Sequence, residues 1–200
     1  MSETARQPEA KPEADSAGCA DAAAAALLQE LEGLVRLAAR RPDVTVVASA
    51  DADTWSFNFK TGVITVVADH LRSLAPDLCR GLALHEATHA AVTVLHQVVP
   101  QSRLGRLMPL LNTVEDIRIE IWMRSRFPGA APWIRAYNDV WYGLGRTQPL
   151  PRSRQVQFLK GLLELWWYGT ISPETLPEVN AALDRCREPA SLAVACQPPL

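Results

Sequence analysis

The chain has 200 residues and a formal net charge of −2 at neutral pH. This length predicts one domain with appendages and is sufficient to bury a sizeable core. The small net charge gives no reason to expect a nucleic acid or an anionic membrane surface as a partner. No segment is long and apolar enough to span a bilayer, because charged residues interrupt even the alanine-rich run 20–39.

The cysteines and the first residues predict a cellular compartment. Cys19, Cys79, Cys186 and Cys196 form no CxxC pair. The opening residues MSETARQPEAKPEAD show neither the basic region nor the apolar run of a signal peptide. These features predict a cytoplasmic protein in a reducing setting, with its cysteines reduced.

The first third of the chain divides into a tail, a helix and a β region. Residues 1–20 are rich in Pro, Glu, Ala and Ser without periodicity, which predicts a disordered tail. Asp21 is a typical N-cap for an amphipathic helix that ends near Pro42. From 44 to 67 the runs VTVVAS, TWSFNF and VITVV predict two or three short strands.

From residue 69 onward almost the whole chain has a helical pattern. The pattern predicts helices near 69–74, 77–97, 106–126, 132–142, 153–168 and 174–187. The predicted fold class is therefore α+β, mostly helical, with one small antiparallel or mixed sheet near the start. We expect a single domain over 21–190, with 191–200 as a tail.

Arginine is concentrated in the middle of the chain. Residues 103–154 contain nine arginines and four acidic residues. This excess predicts a solvated, arginine-rich face, with an acidic partner as the alternative.

The segment GLALHEATHAAVTVL, residues 81–95, places two histidines and a glutamate in an otherwise apolar run. At about 100° per residue, His85 and His89 lie within roughly 40° of each other on a helix. This helix has no polar face, so it should be buried on all sides, and its polar groups need partners. Two imidazoles four residues apart suit one metal ion.

The sequence HisGluAlaThrHis is the HExxH pattern of zinc hydrolases. It predicts His85 and His89 as ligands of one Zn²⁺ ion and Glu86 as the general base that acts on zinc-activated water. The alternative is a pair of core histidines satisfied by backbone carbonyls. A buried apolar helix uses those carbonyls internally, which argues against that alternative.

A catalytic zinc ion needs a third protein ligand. His96 lies on the same helix face as His89, but seven residues of unbroken helix span about 10 Å. That distance is too large, so His96 is interpreted as a helix-end histidine.

The helix predicted near 106–126 offers a better candidate. Asp116 and Glu120 belong to a polar stripe and are expected to face solvent. Glu115 lies on the nearly opposite, apolar side. A buried carboxylate is costly without a cation, so Glu115 should meet the metal, with an ion pair to Arg118 as the alternative.

These residues carry a resemblance to known proteins. HEATH followed 26 residues later by a glutamate on a second helix resembles the gluzincin arrangement of zinc metallopeptidases. More narrowly, LNTVEDIRIE followed by RFPGA resembles predicted metallopeptidase domains found with von Willebrand A domains and MoxR-type ATPases, and the related region of CobT-like proteins. The resemblance covers about residues 55–135.

The resemblance implies a zincin-like fold and a set of site residues. It implies one zinc ion, with Glu86 as the general base. The implied ligands are His85, His89 and Glu115, and the implied orienting groups are Asn112 and Asp116. It also implies a von Willebrand A domain or an AAA-type ATPase as a partner.

The predicted function is therefore that of a zinc-dependent metallopeptidase acting on a protein or peptide substrate. An upstream strand could supply the sheet edge that pairs with an extended substrate, or could simply cover the helix. One alternative function is a zinc-stabilised adaptor that binds an ATPase or von Willebrand A partner without turnover. Another is a regulator that cleaves a single repressor or immunity protein.

Overall fold

The computed structural model describes residues 14–93, 105–140 and 150–195. These residues form a mostly helical α+β structure, as predicted. The elements are α1 (Ala14–Ala39), β1 (Thr45–Ser49), β2 (Ser56–Asn58), β3 (Val63–Val67), α2 (His70–Ser73), α3 (Pro76–Val92), α4 (Met108–Arg126), α5 (Ala131–Asn138), α6 (Arg154–Tyr168) and α7 (Pro177–Ala195). Short 3-10 turns precede α4 and α5. None of the helices in the described ranges combines the length and apolar character needed to cross a membrane.

Two or three strands were predicted, and the structure has three, which form one mixed sheet in the order β1-β3-β2. β1 pairs with β3 in parallel, and β2 pairs with β3 antiparallel. Gly62 joins β2 to β3 with a positive φ of 71°, and its N–H donates to the carbonyl oxygen of Asn58 over 2.9 Å. A glycine in this conformation, paired in this way, forms a bulge that fixes the register of the two strands.

Two clusters of buried apolar side chains form the core. The larger cluster lies between α1, the sheet, α3 and α5, and includes Leu31, Ile64 and Leu84. The smaller cluster joins α4 to α6 and α7 through residues such as Ile117 and Leu183. Because α4 also contributes Met123 to the larger cluster, it lies between the two cores.

The helix α3 is buried on nearly all sides, as its composition predicts. It crosses α5 at Gly81, where a Cβ atom would overlap the carbonyl oxygen of Trp133 and touch Tyr137. The missing side chain therefore lets the two helices approach closely. This crossing sets the position of α5 behind the histidines of α3.

Both chain ends are more helical than predicted. The helix α1 begins at Ala14, so the expected N-cap at Asp21 is wrong, and so is the disordered tail over 14–20. Alanine has the highest helix propensity of all residues, and the alanine-rich sequence continues the helix across this boundary. Residues 1–13 lie outside the described residues. At the other end α7 continues through Pro189 to Ala195, so the predicted tail starts too early; residues 196–200 lie outside the described ranges.

The helix α3 is shorter than predicted. It ends at Val92, and Thr93 is extended, with φ −82° and ψ 120°. The Thr93 hydroxyl lies between two side chains of the site described below, which favours an end of the helix at this point. His89 and residue 96 therefore do not share the one unbroken helix that had been predicted, and His96 itself lies outside the described residues.

Candidate metal site

Three side chains from α3 and α4 converge at the centre of the molecule. His85 Nε2 lies 3.5 Å from Asp116 Oδ1, and His89 Nε2 lies 3.2 Å from the same oxygen. One possible ligand atom from each residue lies within 4.8 Å of the other two. This group of three residues could hold a metal ion.

The spacing of these atoms fits tetrahedral coordination. Nitrogen and oxygen ligands lie about 2.0 to 2.2 Å from zinc, so two ligand atoms of a tetrahedral site are about 3.3 to 3.6 Å apart. The two nitrogen-to-oxygen distances of 3.5 and 3.2 Å lie at or close to this range. All three ligand atoms lie within 4.8 Å of one another, so they could share one ion and leave a fourth position for water or substrate.

The ring of His85 is held from behind by a buried carboxylate. Its Nδ1 lies 3.0 Å from Glu120 Oε1. The second oxygen of Glu120 accepts a hydrogen bond of 2.7 Å from the Asn138 amide of α5. Since Glu120 Oε1 is an acceptor when ionised, it selects the tautomer that carries the proton on Nδ1 and leaves Nε2 free to bind a metal.

The ring of His89 is held by a longer chain of contacts. Its Nδ1 lies 2.9 Å from the hydroxyl oxygen of Thr93, and that hydroxyl donates to Glu115 Oε1 over 2.6 Å. Arg118 donates to both oxygens of Glu115, over 2.6 and 2.7 Å. Because the Thr93 proton is used by Glu115, its oxygen must accept from His89 Nδ1, which again leaves Nε2 free.

These contacts exclude the alternative in which backbone carbonyls satisfy two core histidines. Both Nδ1 atoms meet side chains, and both Nε2 atoms point toward Asp116. A pair of histidines arranged in this way has its metal-binding nitrogens turned to one point.

The histidines and carboxylates of the site shift one another's pKa values. Burial lowers the pKa of His85, but the hydrogen bonds and charges of Asp116 and Glu120 outweigh burial and raise this pKa well above its usual value. Burial raises the pKa of Asp116, yet hydrogen bonds from the two histidines lower it below its usual range. Burial also raises the pKa of Glu120, against the effect of His85. Without a metal, a proton on the imidazole compensates the carboxylates, and a metal cation would replace it.

The structure brings Asp116, not Glu115, to the histidines. Glu115 is buried, as predicted, but its partner is Arg118, which was the alternative. The expectation that Asp116 and Glu120 face solvent is wrong, because Glu120 is fully buried and the Asp116 side chain is 20% exposed. The polar stripe of α4 faces the site instead of water.

An open cleft of about 770 Å³ leads to this site. Glu86 lies in its wall next to both histidines and is partly exposed. Within the described ranges its carboxylate forms no hydrogen bond or ion pair. Asn112 also lines the cleft but is exposed, and the structure does not bring it to either histidine. Of the two orienting groups that the resemblance implies, only Asp116 touches them.

The opposite wall of the cleft comes from the sheet. Ser56 and Phe57 of β2 line it, together with the flanking Thr54, Trp55 and Phe59. The ring of Phe59 is 6.4 Å from that of His89, measured between centroids. The edge strand β2 and the two histidines therefore line one cavity.

No protein-family model, curated protein or solved structure matches this chain. The interpretation of the site depends on its own geometry.

Proposed function

We propose that the chain is a zinc-dependent metallopeptidase. The observation that carries this proposal is the position of His85, His89 and Asp116, whose ligand atoms lie within 4.8 Å of one another in a cleft that also contains Glu86. Two imidazole nitrogens and one carboxylate oxygen form a donor set typical of catalytic zinc sites with an open fourth position. Bound zinc supplies a Lewis acid that activates water and polarises a carbonyl group.

Asp116 takes the place of the third ligand in this proposal. It departs from the glutamate of the gluzincin arrangement, and Glu115 becomes the residue that holds Thr93 against His89. The resemblance implied an orienting role for Asp116 and a ligand role for Glu115, and the contacts of the two side chains favour the reverse assignment.

Glu86 is the proposed general base. It follows His85 directly on α3, so its side chain points about 100° away from the ligand direction and into the cleft. A carboxylate without a partner among the described residues is free to take a proton from water and to deliver it to a leaving amine. Its partial exposure keeps it within reach of both.

The edge of β2 is the proposed binding position for the substrate main chain. The carbonyl oxygen of Asn58 points toward β3, because it accepts a hydrogen bond from the N–H of Gly62 at the bulge. Backbone groups alternate in direction along a strand, so Phe57 presents its N–H and carbonyl to the open side. Within the described residues no strand pairs with that side of β2. An extended peptide added at this edge would pass the metal site.

The test is to measure metal content and peptide cleavage together. Purified protein should contain about one zinc per chain and should cleave members of a mixed peptide library, as followed by mass spectrometry. Glu86→Gln should keep its zinc and lose cleavage by roughly 10²-fold or more. Glu188→Gln, on the exposed face of α7, is the matched control and should leave both unchanged.

Two results would contradict this assignment. Loss of zinc in Glu86→Gln would place that residue among the ligands. A stoichiometric zinc ion without cleavage of any library peptide or cellular protein would favour the adaptor, which uses the metal for stability and binds a partner without turnover.

A further inference from the structure

A second cleft lies behind the metal site, between α4, α5 and α6. Its volume is about 390 Å³. Its lining includes Arg124 of α4, Asn138 of α5 and Trp167 of α6. None of these three side chains touches the proposed zinc ligands directly, so this cleft is separate from the one that contains Glu86.

Two buried polar atoms around this cleft have no partner within the described part of the chain. Asn138 is 4% exposed, and its amide nitrogen donates to Glu120. That bond fixes the orientation of the amide and leaves Asn138 Oδ1 as a buried acceptor without a donor. The indole nitrogen of Trp167 is a buried donor without an acceptor. Unsatisfied buried polar groups are costly, which points to a missing partner.

The wall of the cleft also carries an exposed cation, Arg124. The Arg124 guanidinium lies over the Trp167 ring, 5.3 Å from its centroid. Among the described residues no carboxylate lies within ion-pair distance of Arg124. Arg135 differs, since Asp139 lies 3.7 Å away and also accepts a hydrogen bond from Tyr168.

We propose that this cleft binds the carboxylate end of an amino acid or peptide. The carboxylate would pair with Arg124 and, after a side-chain movement that opens the two buried atoms, accept from the Trp167 indole N–H, since both groups are donors. In the same opened cleft, the nitrogen on the adjacent carbon would donate to Asn138 Oδ1. A fully ionised inorganic anion fits less well because it has no donor for that oxygen. Pro132, which is exposed on the wall of the cleft, gives the ligand side chain an apolar surface.

An occupant of this cleft would contact the metal site through one residue. Asn138 holds Glu120, and Glu120 holds the ring of His85. Any effect of this ligand on metal affinity rests on the proposed function. Binding of the ligand does not depend on a metal, so binding can be tested separately from the proposed function.

The test is isothermal titration of the metal-free protein with N-acetyl-leucine, free leucine and N-acetyl-leucine amide. The two carboxylates should bind, and the amide should bind at least about 10-fold more weakly, because it lacks the charge for Arg124. Tighter binding of free leucine would identify free amino acids as the source, and tighter binding of N-acetyl-leucine would identify a peptide C-terminus. Equal binding of the amide, or no binding of either carboxylate, would overturn the proposal.

Variants of the cleft locate the binding. Arg124→Ala should weaken N-acetyl-leucine binding by about 10- to 100-fold, the effect of losing a charged hydrogen bond. Arg126→Ala, an exposed arginine outside the cleft, is the matched control and should bind like the unmodified protein. Trp167→Phe keeps an aromatic ring and removes the indole N–H, so it should also bind more weakly. Equal affinity in all three variants would overturn the proposal, as would inorganic phosphate that binds as tightly as N-acetyl-leucine.

Discussion

The two histidines of the site are oriented by different means. His85 is held by Glu120, a fully buried carboxylate that a third helix secures through Asn138. His89 is held by the hydroxyl of Thr93 at the end of its own helix, and the charge of Glu115 lies one step further away. Both sets of contacts leave the histidine Nε2 free, but only that of His85 places a charged group directly against Nδ1 of the ring.

Because of this difference, we expect the loss of the contacts to His85 and the loss of the contacts to His89 to have different effects on stability and metal binding. The His85 side depends on the packing of α3, α4 and α5, and it contains polar groups that have no access to water. The His89 side depends on where α3 ends, and its carboxylate keeps Arg118 as a partner when the hydroxyl is lost. We therefore expect damage on the first side to affect folding and metal binding, and damage on the second to affect mainly metal binding.

The largest expected effect comes from removing the residue that both histidines face. Asp116→Ala should abolish tight zinc binding, because a site with two histidine ligands alone has poor affinity. Glu115→Ala should retain binding, weakened by roughly 10- to 100-fold, since it acts through Thr93. Zinc titration of both variants measures the difference. If Glu115→Ala loses the metal and Asp116→Ala keeps it, the ligand is Glu115 and not Asp116.

Removing the buried carboxylate should be the next most damaging change. Glu120→Ala leaves His85 Nδ1 and the Asn138 amide unpaired, and breaking such a buried pair costs about 3 to 5 kcal/mol. Zinc affinity should fall by about 10- to 100-fold as well. Urea unfolding of the metal-free protein gives the first value, and zinc titration gives the second. An unchanged unfolding midpoint would show that the His85 side does not support the fold.

The His89 side should be more tolerant. Thr93→Val keeps the shape of the side chain and removes the hydroxyl, so zinc affinity should fall by about 10-fold. Thr93→Ser should restore it. Unfolding in urea should change by less than about 1.5 kcal/mol, the usual net contribution of one hydrogen bond. A loss of stability as large as that of Glu120→Ala would remove the proposed difference between the two sides.

The smallest effect is a change in thiol reactivity that reports on the packing of α3. Burial raises the pKa of the Cys79 thiol to about 11. The neutral thiol therefore adds stability below its usual pKa, and this contribution is lost as the pH rises from about 9 through about 11. At pH 8, iodoacetamide should modify the exposed Cys19 and spare Cys79.

Peptide mapping of the alkylated variants extends this measurement. Cys79 should become reactive in Glu120→Ala, which loosens α3 from its neighbours, and should stay protected in Thr93→Val. Reactivity of Cys79 in the unmodified protein would contradict the burial of this face.

Short-range patterns gave the parts of the structure that depend on local sequence. Alternating apolar residues predicted two or three strands, of which the structure has three, and the mostly apolar surroundings of His85 and His89 predicted a buried helix. The same reasoning predicted that Glu115 would be buried, which is confirmed. It predicted the metal as the partner of Glu115, whereas the observed partner is Arg118, which was the alternative. That choice depends on how α4 is rotated against α3.

Asp116, the proposed third ligand, was not recognised in the sequence for a physical reason. A polar stripe on a helix usually faces water, and Asp116 and Glu120 were assigned to solvent by that rule. In this helix the stripe faces two imidazoles that need acidic partners. The spacing of Asp116 and Glu120, four residues apart like the two histidines, was the available signal. Asn138 gave no signal at all, because it comes from a third helix.

The absence of a side chain at Gly81 affects how relatives of this chain can be recognised. Any larger residue would push α5 away from α3, and with it Asn138 from Glu120. We therefore expect divergent homologues that keep this site to keep a glycine four positions before the first histidine. A pattern joining that glycine to HExxH, to an Asp-x3-Glu pair and to a later asparagine would select such sequences where overall similarity is too low to detect.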